Sequence, residues 1–207
     1  LLAEWGVPVT TETLVQTADA AVEAGSEIGY PVVLKADVTG MPHKTEAGLV
    51  KLGLDDEAAV RAAYDEVTSN AANAGAGMNG VLVQEMVADA VEVIVGVSYD
   101  SQLGATILFG SGGVMVEVYN DVSLRLCPID ESDALEMIAE VKGARLLEGF
   151  RGQPAADIAA LADTLVRVSQ LGAQLEGSLA ELDINPLMVL PTGQGVRAAD
   201  AVAIFQP

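Results

Sequence analysis

ELDINPL, residues 181–187, alternates polar and apolar side chains from Glu181 to Asn185. In an extended chain successive side chains point to opposite faces, so Glu181, Asp183 and Asn185 share one face and Leu182 and Ile184 the other. The wider run LAELDINPLMVL (179–190) therefore reads as a strand with one buried face and one that gathers oxygen atoms. A PTGQG turn (191–195) leads into a second strand-like run, GVRAADAVAI (195–204). Antiparallel pairing of the two would bring Asp200 beside Asn185. Carboxylate and amide oxygens are the hard ligands that Mg²⁺ prefers, and a site with few protein ligands leaves room for phosphate oxygens. The solvated face of an edge hairpin fits the same spacing.

Working outward, PVVLKAD (31–37), GLVKLGL (48–54) and GVLVQEMV (80–87) read as strands, and VEVIVGVSYD (91–100) and GATILFGSGG (104–113) as a hairpin turning at Asp100 and Ser101. Apolar residues at helical spacing mark TTETLVQTADAAVEAGSEIG (10–29), closed by Gly29, and DDEAAVRAAYDEVTSNA (55–71), opened by acidic residues. Two further helices fall near SDALEMIAEV (132–141) and PAADIAALADTLVRVSQLGAQL (154–175). This order predicts an α+β protein of two lobes, residues 1–83 and 84–207, with a cleft between them.

Hydrophobic residues make up 51% and aromatics 4%, so the core is built from Val, Leu, Ile and Ala. Thirty acidic against ten basic side chains give a net charge of −20, which argues against binding to nucleic acid or anionic lipid. An anionic ligand then needs a metal ion or local lysines. The single cysteine, Cys127, allows no internal disulfide and no metal cluster, and no apolar run is long enough to span a membrane. Without a signal peptide at LLAEWGVPVT, the expected location is cytoplasmic, and the abrupt opening reads as a piece of a longer chain.

Lys35 interrupts an otherwise apolar strand, where a lysine either reaches a carboxylate or bound anion or snorkels to the strand end; Lys51 in GLVKLGL poses the same choice. The glycines of FGSGG (109–113), Gly112 and Gly113 among them, let backbone approach a ligand and turn amides toward an anion, or simply make a tight turn. The chain has neither a Walker A loop nor a GxGxxG fingerprint. Glu117 and Asp121 supply further carboxylates or solvate a helix end or loop. His43, the only histidine, lies in PHKTEAG (42–48), either as a nucleophile and phosphate carrier or as a solvated loop residue.

The ordered set GYPVVLKAD, PHKTEAG, VLVQEMV, VEVIVGV, LFGSGGVMVEVYNDVSLRL, GFRG and LAELDINPL resembles, from end to end, the ATP-grasp domain of NDP-forming (ADP-forming) acyl-CoA synthetases, also called acetate–CoA ligases. It resembles the succinyl-CoA synthetase β subunit less closely. The resemblance implies an ATP-grasp fold whose two lobes enclose a nucleotide cleft, with ATP/ADP and Mg²⁺ as cofactors. By it, Lys35 contacts phosphates and Gln84, Glu85, Met86 and Val87 form the adenine hinge. Glu92 lies near the ribose or its phosphates, Asn185 and Asp200 hold Mg²⁺, and Asp183 orients an imidazole at the phosphohistidine docking site. His43 falls at the position of a phosphorylated histidine that shuttles phosphate to ADP.

The chain departs from the family in reading VTGMP where SPDI is usual, Gly48-Leu49 where Gly-Gly is frequent, and Glu46 for Asp. The resemblance further implies that CoA-binding and CoA-ligase domains, in the same chain or a partner subunit, handle CoA and the acyl phosphate. The same domain set also occurs fused to a GNAT acetyltransferase, where it serves as a non-catalytic nucleotide-binding or regulatory module.

Overall fold

The computed structural model of the chain describes residues 1–38, 47–75, 77–112, 121–149 and 152–206. These divide into two compact units, Thr10–Met86 and Leu1–Val9 together with Val87–Pro207.

The smaller unit is a four-stranded antiparallel sheet in the order β1-β4-β2-β3, built from β1 (Glu12–Val15), β2 (Val32–Val38), β3 (Val50–Leu54) and β4 (Met78–Glu85). Helices α1 (Ala18–Ile28) and α2 (Glu57–Asn73) pack on one face of it. Alternation along β2 and β4 sends Leu34, Ala36, Val81 and Val83 into the helix-side core with Val22, Val60 and Val67. Lys35, Leu82 and Gln84 therefore lie on the opposite face. The helix expected over residues 10–29 is instead a strand followed by a helix. Thr13 and Val15 are β-branched and suit the extended chain, and β1 pairs along β4. Thr17 then accepts the Ala20 N–H at 3.2 Å as the N-cap of α1.

The larger unit holds a six-stranded sheet in the order β10-β8-β5-β6-β7, with β9 also on β8. Its strands are β5 (Val91–Asp100), β6 (Gly104–Ser111), β7 (Val122–Leu126), β8 (Leu179–Val189), β9 (Val196–Ala198) and β10 (Ala201–Phe205). Helices α3 (Glu131–Glu140) and α4 (Ile158–Gln174), with a 3-10 helix at Lys142–Leu146, cover one face. The core joins Val95, Ile107, Phe109 and Leu182 of the strands to Met137, Leu161, Leu165 and Leu171 of the helices.

The division does not follow the expected 83/84 boundary. β4 runs unbroken to Glu85, and the first nine residues pack on the larger unit. Leu2 and Val7 enter its core, Val9 bridges in parallel to Ala198, and the Ala198 N–H donates to the Pro8 carbonyl at 2.8 Å. Among the described residues no helix is long and apolar enough to cross a membrane.

Candidate functional site

The face of the smaller sheet opposite its core carries the first group of expected residues. Lys35, half-buried at mid-strand in β2, pairs across with Val50 and Leu82. Two residues along β4 from Leu82, Gln84 faces Val33 and Glu12. Gln84 is 3% exposed, and its amide donates to Thr10 Oγ1 at 2.7 Å and Glu12 Oε2 at 2.8 Å. Its side chain is thereby fixed before any ligand arrives. Glu85 is tied to the same segment: its carboxylate accepts the Thr11 N–H at 2.9 Å, and its own N–H donates to the Thr11 carbonyl. Met86 is exposed and Val87 half-buried, and the two units meet in sequence at these two residues. Lys51 pairs with Leu34 and so points to the helix side, where it forms an ion pair with Glu66 of α2. The register thus separates two lysines that the sequence left equivalent.

The second group lies on the larger sheet. In β8 the alternation holds as read from the sequence, with Leu182 and Ile184 buried and Glu181 and Asn185 exposed. Gly96 and Ser98 of β5 oppose Asp183 and Glu181, and Val202 and Ile204 of β10 flank them on the other side. A register shift against β5 then inserts one extra residue, so that Leu187 and Val189 return to the core. At this bulge the Asn185 N–H donates to the Asp200 carbonyl at 3.0 Å, and the Ala199 N–H to Pro186 at 3.0 Å. The second run is accordingly two strands, β9 and β10, separated at Ala199 and Asp200. Asn185 and Asp200 stand opposite each other, as the hairpin reading required. Burial pushes the Asp183 carboxyl above its usual range, and the charges of Glu181 and Asp200 add to the shift. A cation would relieve that repulsion. Among the described residues no group of three or more His, Cys, Asp or Glu side chains is arranged to hold a metal ion. A pair of oxygen ligands is the number Mg²⁺ takes when phosphates complete its shell.

Glu92 is exposed on β5, opposite Met188 of β8. The Gly112 N–H donates to the Glu92 carbonyl at 3.0 Å, so it is already engaged and does not face an anion. The need for glycine at this position is steric, because a Cβ would lie 2.5 Å from that same carbonyl oxygen. Gly113, Glu117 and His43 lie outside the described residues. Burial, with the charge of Glu176, pushes the Cys127 thiol up to about 11, so it is protonated at neutral pH and no nucleophile.

Sequence reasoning named Asp121 only as a further or solvated carboxylate and passed over Asp157. Asp121 and Asp157 each hold backbone amides of distant segments. Asp157 carries a local signal, standing just before an apolar-periodic helix as an N-cap. Asp121 has none, because its partners are 21 and 22 residues away.

The profile of the ATP-grasp domain matches residues 1–204. The β subunit of acetate–CoA ligase [ADP-forming] II from Pyrococcus furiosus is 38% identical over 208 residues, covering 100% of this chain and 88% of that one. Acetate–CoA ligase [ADP-forming] I from Archaeoglobus fulgidus is 42% identical over 198 residues, 95% of this chain, but the match spans only 29% of that longer protein. Among solved structures, the dinucleotide-forming acetyl-coenzyme A synthetase 1 of Ca. Korarchaeum cryptofilum, in complex with coenzyme A, Ca-AMPCP and HgCl⁺, superposes with a TM-score of 0.93 at 41% identity, covering 99% of this chain and 89% of that one. A second structure of that synthetase, with coenzyme A and Mg-AMPPCP, has its phosphohistidine segment pointing towards the nucleotide-binding site; its TM-score is 0.85 at 40% identity, covering 99% of this chain and 88% of that one.

Proposed function

The chain belongs to the ATP-grasp domain family, and on that premise we propose that it is the nucleotide-handling domain of an ADP-forming acyl-CoA ligase, passing phosphate between a phosphohistidine and Mg·ADP. The acid–thiol ligase reaction is completed by CoA-binding and CoA-ligase domains, in the same chain or a partner subunit. The Korarchaeum synthetase caught with Mg-AMPPCP supports the choice of ligand.

Lys35 offers its ammonium to the phosphates from mid-strand. The Gln84–Val87 segment receives the base, held in place by the Thr10, Thr11 and Glu12 contacts. Glu92 contacts the ribose or its phosphates; Gly112, whose N–H is held by the Glu92 carbonyl, supports that contact from behind, and Gly113 is assigned to the same ligand by the family resemblance. Asn185 and Asp200 would hold Mg²⁺, which when bound supplies charge neutralisation on the phosphate oxygens. Asp183, whose charged form is disfavoured by its surroundings, accepts a hydrogen bond from the imidazole that carries the phosphate and fixes its orientation. His43 is the carrier of this chain: its neutral ring nitrogen takes the phosphoryl group from the phosphohistidine of the partner domain, whose N–P bond breaks, and hands it in line to a terminal oxygen of ADP as the His43 N–P bond breaks in turn. The reverse direction consumes ATP.

The observation that supports this reading most is the Asn185–Asp200 pair, joined by a backbone hydrogen bond beside Asp183. Calorimetric titration of the full-length protein with ADP, with and without Mg²⁺, tests it. Wild type is expected to bind in a metal-dependent way. Lys35→Ala and Asn185→Ala are each expected to weaken binding at least about tenfold, the scale of one lost charge-assisted contact. His43→Asn should bind Mg·ADP normally yet transfer no phosphate. A wild-type protein that binds neither ADP nor ATP would rule the assignment out.

A further inference from the structure

Behind Glu92 runs a chain of close contacts that ends on Asp121. The Asp121 carboxylate accepts the Lys142 N–H at 3.0 Å and the Gly143 N–H at 2.7 Å, and Ser111 Oγ lies 3.4 Å from it as a further donor. Its three donors come from the end of β6 and the first turn of the 3-10 helix. That helix sits so near β6 that a Cβ on Gly143 would be 2.4 Å from the Ser111 Cβ. Ser111 is followed by Gly112, whose own Cβ would strike the Glu92 backbone. The space left among Glu92, Ser111, Gly112, Gly143 and Leu147 is about 30 Å³, room for no more than a water or two. A shift at either end of this chain is therefore passed to the other. Burial pushes the Asp121 carboxyl up, but the Gly143 and Lys142 amides, the Lys142 charge and the Ser111 hydroxyl together hold it below the usual range.

We propose that Asp121 is a positioning residue of the nucleotide site: it holds Ser111 and Gly112 against β5 and so fixes the backbone from which Glu92 meets the nucleotide. Asp121 touches no ligand itself and acts through the 3-10 helix and the end of β6. The inference rests on the nucleotide-binding reading above.

The test is carried out on the full-length protein, with Mg·ADP affinity by calorimetry, steady-state kinetics, and melting temperature without nucleotide measured for each variant. Asp121→Asn replaces an acceptor with a donor facing backbone N–H groups. It is expected to raise the Mg·ADP Kd and the KM for ADP about tenfold, with kcat and the KM for CoA nearly unchanged. Ser111→Ala removes only the hydroxyl and should raise the Kd about two- to threefold, while Gly143→Ala, which wedges the helix off β6, should match Asp121→Asn. Asp121→Asn with a lowered melting temperature but unchanged Kd makes the residue a structural anchor and overturns the proposal. Should that variant not fold, unchanged affinity in both Ser111→Ala and Gly143→Ala overturns it equally. Failure of the wild type to bind Mg·ADP is a separate result, and it removes the reading on which the inference rests.

Discussion

The Asp157 carboxylate, 8% exposed, accepts the Ala160 N–H at the head of α4 at 3.2 Å and those of Gly193 and Gly195 at 2.8 and 2.9 Å. One side chain thus caps a helix and pins the turn that leads to Asp200. Burial pushes this carboxyl up, and the three amides overcome that and hold it below its usual range. A depressed native pKa stabilises the fold above the unfolded value, and the benefit is lost as pH falls through the native one. Asp157→Asn is accordingly expected to cost about 2 kcal/mol near neutrality. Melting curves should show the gap to wild type closing below pH ~4, and a gap independent of pH would count against this account. Legibility in the sequence follows the range of the contacts. Asn185 and Asp200 were readable because period-two alternation and one short turn place them together. Lys35 and Lys51 were indistinguishable until the β2–β3 register put them on opposite faces. Asp121 was unreadable as an anchor because a carboxylate that binds main-chain amides imposes no residue type on its partners.

Helix α4 shows what burial contributes within one secondary-structure element. Leu161, Leu165 and Leu171 are fully buried against the strands of the larger sheet. Leu165→Ala is expected to cost roughly 2–5 kcal/mol in a urea unfolding curve. Leu146→Ala, in the 3-10 helix outside α4 and at a side chain 46% exposed, should stay within about 0.5 kcal/mol, and equal costs would contradict the packing. Strong periodicity made α2, α4, β2, β5 and β6 readable along the chain. It misled at β1, where Leu14 continues the helical spacing of Ala18, Ala21 and Val22, and only pairing with β4 decides for the strand. At β7 the five residues VSLRL do alternate, but in inverted phase, with Ser123 buried and Leu124 and Leu126 exposed. In β8 the pattern read from Glu181 to Asn185 does not continue, since the bulge shifts the phase so that Leu187 faces the same core as Ile184. That phase shift sets Asn185 and Asp200 where the regular ladder stops.

Each unit has its own core, and the α+β class was visible in composition and periodicity, as was the order of elements apart from β1, β7 and the break between β9 and β10. The membership of the first nine residues was not, because it depends on contacts made nearly the full length of the chain away. A net charge of −20 places mutually repelling groups over the folded surface, so screening should favour folding. Raising NaCl from about 10 to about 150 mM, where the Debye length falls to about 8 Å, is expected to raise the melting temperature without ligand by a few degrees. A fall over that range would show that attractive surface pairs dominate instead. The path of the chain also sets a timetable during translation. All four strands of the smaller sheet lie between Glu12 and Glu85, so that unit can close once residue 86 has left the ribosome. Pro8 and Val9 are synthesised long before Ala198, to which they bond, at ~5–20 residues per second a delay on the order of ten seconds. For that interval the apolar Leu2 and Val7 travel without the core they later join, open to any chaperone working at the ribosome.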